Sequence, residues 1–142
     1  MNPRAAFLYL SALLAFAFLA AHPSPAEAAD FSGSWSVSAA RQVAANRNAG
    51  ALETASPVCT FKQTGNTVTG SCKGPAAVGP AEGTVSDQTI VWHWHRMAVT
   101  WGGATGTATF TGALASDGVI SGTWTDDVAR GGNGVFTARP TH

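Results

Sequence analysis

The stretch Cys59-Thr60-Phe61-Lys62-Gln63-Thr64-Gly65-Asn66-Thr67-Val68-Thr69-Gly70-Ser71-Cys72 carries the clearest structural signal in the chain. Gly65-Asn66 has the composition of a two-residue hairpin loop. Folding about it sets Thr64 against Thr67, Gln63 against Val68, Phe61 against Gly70 and Cys59 against Cys72. The 63/68, 61/70 and 59/72 pairs are then the closely spaced, non-hydrogen-bonded kind, with Cα atoms about 4.5 Å apart. That separation lies within the range a disulfide can bridge, about 4.4–6.8 Å. The register therefore predicts a Cys59–Cys72 disulfide within the hairpin. Closing so short a loop contributes about 3 kcal/mol in the chain-entropy treatment. The hairpin also sorts its faces: Cys59, Phe61, Val68, Gly70 and Cys72 on the core side, and Thr60, Lys62, Thr64, Thr67, Thr69 and Ser71 on the solvent side.

A disulfide implies an oxidising compartment, and the N-terminus points the same way. Arg4 precedes an apolar run from Ala5 to Ala21, His22-Pro23-Ser24-Pro25 interrupts it, and Ala26-Glu27-Ala28 fits a small-x-small cleavage site. Residues 1–28 read as a signal peptide, 29–142 as the mature domain, and the destination as periplasmic or secreted. The competing reading is an uncleaved anchor, because the run approaches the length of a membrane span. After cleavage no remaining segment is apolar enough to cross a bilayer.

The alternation continues. Phe31, Gly33, Trp35 and Val37 alternate with serines, which predicts a half-buried strand. A hairpin turning at Asp87-Gln88 sets Val85 against Ile90, Gly83 against Trp92 and Ala81 against Trp94, small residues facing large ones. A third, turning at Ser116-Asp117-Gly118, pairs Leu114 with Ile120, Gly112 with Gly122 and Phe110 with Trp124. A last strand spans Gly134 to Arg139 with Phe136 inward. Two stretches read as irregular: Ala39 to Pro57, whose alanine-rich part to Leu52 could carry a short helix and act as a lid, and Gly74 to Pro80. The sum is an all-β chain of about eight short antiparallel strands. An up-and-down barrel closes such a set without exposed edges, and eight strands leave room for side chains and one small ligand. An open sandwich is the alternative.

Phe31-Ser32-Gly33-Ser34-Trp35 resembles the Gly-x-Trp signature on the first strand of calycins, the lipocalin-like and avidin-like barrels. Gly122-Thr123-Trp124 repeats it on a later strand. The resemblance implies a small exported bacterial barrel with Trp35 packed across its base. Biotin binding is not implied, because residues 29–142 contain no tyrosine and the avidin hydrogen-bonding set has no counterpart. A second resemblance, to periplasmic barrels that inhibit secreted metalloproteases, implies a protein partner met by the N-terminal segment Ala29-Asp30-Phe31-Ser32.

Function is carried by fewer residues. The formal net charge is zero and no basic run occurs, which argues against nucleic acid. No nucleophile elbow, phosphate loop or cysteine–histidine pair appears, so no catalytic set stands out and no cofactor is implied. Tryptophan is abundant, with five in the chain. The registers turn Trp35, Trp92, Trp94 and Trp124 inward, either as filling or as the lining of a pocket for a small apolar or aromatic molecule. Arg96 shares the parity of Trp92 and Trp94 and could hold an anionic ligand head near the mouth, or end the strand in solvent. A bulge near Arg96 would turn Met97, Val99 and Trp101 to the opposite face. Glu82, His93 and His95 share the outward face, with Glu82 across from His93, and could supply metal ligands or a solvated ion pair. Asp126-Asp127 before a glycine-rich loop could bind calcium weakly but lacks the ligand spacing of a known site, and reads as a turn. Three readings follow: a non-enzymatic ligand-binding barrel with Trp92, Trp94, Trp124 and Arg96 at the site; an interaction or inhibitor barrel; and a metal enzyme on Glu82, His93 and His95.

Overall fold

The computed structural model describes residues 27–42, 54–101, 103, 105–127 and 132–142. They form strands β1 (Gly33–Arg41), β2 (Thr54–Ala55), β3 (Val58–Thr64), β4 (Thr67–Lys73), β5 (Ala77–Ser86), β6 (Thr89–Ala98), β7 (Gly106–Leu114), β8 (Ile120–Asp126) and β9 (Asn133–Pro140). Each pairs antiparallel with its neighbour in sequence order from β3 to β9, and β9 pairs with β1. β2 and β3 lie against successive parts of β1 and together act as one interrupted strand. The result is a closed eight-stranded antiparallel barrel, not an open sandwich. Among the described residues no helix is long and apolar enough to cross a membrane.

All three hairpins have the registers expected from their turns. Cys59 faces Cys72, Gly83 faces Trp92, and Gly112 faces Gly122. The Cys59–Cys72 disulfide is formed, with Cα atoms 4.0 Å apart. Gly65 opens the first turn at φ 60° and Gly118 ends the third at φ 80°, both in the left-handed region where a Cβ is costly. Asp87 adopts φ 52° at the second turn, a conformation that aspartate tolerates better than most residues.

Two irregular expectations are corrected. Ala39 to Arg41 continue β1, with Ala39 buried against Ala55 and Phe136 neighbours. Alanine fits either a helix or a strand, and here pairing with β9 decides. The part of the expected helix beyond Gln42 lies outside the described residues, apart from the short β2. Residues 77–80, expected in a loop, belong to β5, and Pro80 sits opposite Ser71. The proline is accommodated because the β5–β6 ladder skips Gly79-Pro80 between the Val78–Met97 and Ala81–Trp94 pairs. Proline has no N–H to offer there.

Inward and outward residues sort as the alternation demands. The core comprises Trp35, Val37, Ala39, Phe61, Val68, Ala81, Val85, Ile90, Trp92, Trp94, Phe110, Phe136 and their neighbours, with the disulfide among them. Trp92 occupies the middle. It stacks on Phe110 (4.7 Å between centroids, 5° between planes) and meets Phe136 and Phe61 edge-on at 5.2 and 5.6 Å. These are the offset and T-shaped arrangements aromatic rings favour. Gly83, Gly70 and Gly122 stand across from Trp92, Phe61 and Phe136, giving the large rings their space.

Candidate functional site

The barrel has two unlike ends. At one lie the three tight turns and the N-terminal segment, which plugs it. Phe31 is fully buried, and the Trp35 indole donates to the Phe31 carbonyl at 2.9 Å. Gln63 accepts from the Phe31 N–H at 2.8 Å and donates to the Ala29 carbonyl, while the Ala29 N–H donates to the Asp87 carbonyl. Asp30 caps this segment. Hydrogen bonds from the Ser32 side chain and backbone hold its carboxyl below the ordinary value. The segment Ala29–Ser32 is anchored to this end of the barrel through Phe31, with Asp30 and Ser32 exposed.

The opposite end gathers the site residues predicted from sequence, above the Trp92 cluster. β6 rises through Trp92, Trp94 and Arg96 on its inward parity, and β8 through Gly122, Trp124 and Asp126. Trp94 is buried. The far edge of its ring lies 3.5 Å from where a Cβ on Gly74 would sit, so it spans toward the end of β4. Trp124 is half-buried, and its indole donates to the Ala40 carbonyl at 3.1 Å. The Arg96 guanidinium stands 5.9 Å from the Trp94 ring centre, a cation–π distance. Its Nη2 pairs with Asp126 Oδ1 and its Nε donates to the Gly106 carbonyl at 3.3 Å. Both side chains of this pair are 9% exposed, so Arg96 is no solvated strand end.

Three features of this end define its chemistry. The Trp92 and Trp94 indole nitrogens are buried without a hydrogen-bond partner among the described residues. A buried donor left unpaired costs about 1–3 kcal/mol. The guanidinium has five N–H donors, of which Nε and one on Nη2 are engaged. Between donors and rings the inward wall is made of small residues: Ala39, Ala77, Ala108 and Gly134.

Trp92 itself is part of the filling and not of the mouth. Asp126 was missed as a site residue because Asp126-Asp127 before glycines reads as a turn. Its parity with Gly122 and Trp124 was the available signal. Asp127 meanwhile accepts from the Thr107 N–H at 2.7 Å.

The outward residues Glu82, His93 and His95 are positioned differently. Glu82 pairs with His93 by backbone register, but its carboxylate reaches His95 Nε2 at 3.3 Å. His93 Nδ1 and His95 Nδ1 each bond a threonine of β7, Thr109 and Thr107. Among the described residues no three His, Cys, Asp or Glu side chains gather as a metal-ligand group. Glu82 and His93 instead border a shallow outward hollow of about 280 Å³ with Thr67, Thr69, Gly83, Thr84 and Val91.

No protein-family model, curated protein or solved structure matches this chain. The barrel is consistent with the calycin-like architecture that the Gly-x-Trp strand suggests, and its function must be read from its own residues.

Proposed function

We propose that this protein is an exported, non-enzymatic calycin-like barrel that binds a small aromatic or apolar molecule at the end opposite its N-terminal plug. The ligand lies over Trp94 and Trp124. The centre of the barrel is already occupied by Trp92, Phe110, Phe136 and Phe61, so this reading puts the ligand toward the end of the barrel and not at its centre. The observation that carries the reading is the buried, unpartnered Trp94 indole beside an interior arginine. A ligand acceptor satisfying that N–H removes a desolvation cost the free protein bears. The free N–H edge of Arg96 would favour an anionic head on the ligand.

The test uses two naphthalene dyes, the anionic 1-anilinonaphthalene-8-sulfonate and the uncharged N-phenyl-1-naphthylamine, with dye fluorescence as the readout. Both bind the wild-type chain, and Trp94→Phe weakens both. The paired variant Arg96→Gln/Asp126→Asn weakens only the anionic dye. Equal binding by wild type and Trp94→Phe would show that the dyes sit elsewhere and end this reading.

A further inference from the structure

The outward surface of the barrel is mostly threonine, serine and charged residues, but one part of the open rim is not. The registers Val58–Lys73, Lys73–Val78 and Val78–Met97 place four outward side chains in a single row across β3, β4, β5 and β6. Strands lie about 4.8 Å apart, so the row is about 15 Å long. Val58 is 41% exposed and Met97 57%, while Val78 is half-buried. Beyond the end of β6, Val99 is 53% exposed and Trp101, in the turn that follows, has a fully exposed side chain. No bulge inverts β6 before its end, because Ala77–Ala98 and Val78–Met97 keep the register of the rest of the β5–β6 pair. A hydrogen bond from Val99 N–H to the carbonyl of Ala76, just before β5, holds the start of the segment. Another, from Gly103 N–H to the Thr100 carbonyl, closes the bend that carries Trp101.

Four of the five large exposed hydrophobic side chains of the described residues thus share one rim. Contiguous exposed apolar side chains of this kind mark interaction surfaces. We propose that this rim rests on an anionic phospholipid bilayer, with Trp101, Val99 and Met97 in the headgroup–acyl boundary and Lys73 against lipid phosphates. The shape fits a plane better than a peptide. Among the described residues the band is one row deep and runs along the strand ends of β3 to β6. The charge fits as well. Lys73 is the sole charged residue of the row, is exposed, and has no ion-pair partner among the described residues. A lysine amid apolar side chains can bury its stem and extend its ammonium to the headgroups. Tryptophan, apolar in body with one N–H, is the side chain that concentrates at that boundary. The band stands on its own residues and does not require the ligand reading. Docked this way, the mouth would open beside the membrane.

Vesicle co-sedimentation tests the proposal, using phosphatidylcholine alone and phosphatidylcholine mixed with phosphatidylglycerol. The wild-type chain should partition onto the mixed vesicles, and brominated lipid should quench its fluorescence. Trp101→Ser should lower the partition coefficient at least about tenfold, given the large apolar area of an indole. Lys73→Gln should lower it about fivefold on mixed vesicles and leave pure phosphatidylcholine unaffected. Met97→Ser, with its fold checked by urea unfolding, should also weaken binding. A chain that stays in the supernatant with both vesicle types overturns the proposal. So does equal partitioning of wild type and Trp101→Ser, or a concentration-dependent dimer abolished by Met97→Ser/Trp101→Ser, which would assign the band to a second copy.

Discussion

Replacing Gly122 by alanine tests the closure of the barrel. A Cβ at Gly122 would run into the Thr111 carbonyl oxygen and lie 2.6 Å from the Gly112 Cα and 2.8 Å from the Thr111 carbonyl carbon. All three are backbone atoms of β7, so no side-chain rotation relieves them. β7 must move away from β8 at the Gly112–Gly122 pair. Overpacking of this kind costs about 1–3 kcal/mol, and disturbing two ladder hydrogen bonds adds about 0.5–1.5 kcal/mol each. The opposing gain, a stiffer unfolded chain, is only about 0.4–1 kcal/mol. The clash wins, and Gly122→Ala should lose about 1–5.6 kcal/mol, centred near 3. Gly74→Ala is the matched control. Its Cβ would meet the Trp94 ring edge at 3.5 Å, an ordinary contact, so the entropy gain prevails and stability should rise by about 0.4–1 kcal/mol. Urea unfolding followed by tryptophan fluorescence, with the disulfide kept oxidised, measures both. The midpoint should fall for one variant and rise for the other at unchanged slope. If Gly122→Ala matches Gly74→Ala, the close approach of β7 and β8 is wrong.

Four other outcomes follow. Trp92→Ala should cost about 3–5 kcal/mol, because the ring is fully buried among three phenylalanines and the barrel cannot collapse around the gap; thermal unfolding measures it. Cys59→Ala/Cys72→Ala should cost about 3 kcal/mol for a bridge across 13 residues, with the reduced wild type showing the same lowered midpoint. Asp87→Gly should raise stability by up to about 1 kcal/mol, because glycine adopts φ 52° without a Cβ penalty. Asp30 has a folded pKa below its ordinary value, so its contribution is complete above the unfolded pKa and fades as pH falls through the folded one. Asp30→Ala should therefore narrow the stability gap between neutral and strongly acid solution, as read by urea midpoints across pH.

Most of the barrel was legible because its information is local. Gly65-Asn66, Asp87-Gln88 and Ser116-Asp117-Gly118 each fix a register by counting outward, and period-two alternation then assigns every neighbour to a face. What counting could not supply was pairing at a distance. Ala39 to Arg41 have no alternation of their own and become strand through β9, whose residues lie about a hundred positions later in the chain. Pro80 argued against a strand in sequence, and only the skipped ladder explains how β5 holds it. The end of the barrel opposite the plug was half legible. Trp94, Trp124 and Arg96 were assigned inward from parity, but the Arg96–Asp126 pair required two strands not adjacent in the sheet, β6 and β8, to converge inside a closed barrel. Glu82 was placed correctly opposite His93, yet its side chain reaches His95, a diagonal choice that register alone does not determine.

The most direct test of the ligand reading is a nitrogen–proton spectrum of the five indoles, titrated with 1-anilinonaphthalene-8-sulfonate. Trp94 and Trp124 at the mouth should shift together and saturably, while Trp35 on the plugged floor stays in place. A shift of Trp35 with Trp94 unmoved, or no shift of any indole at saturating dye, would contradict it.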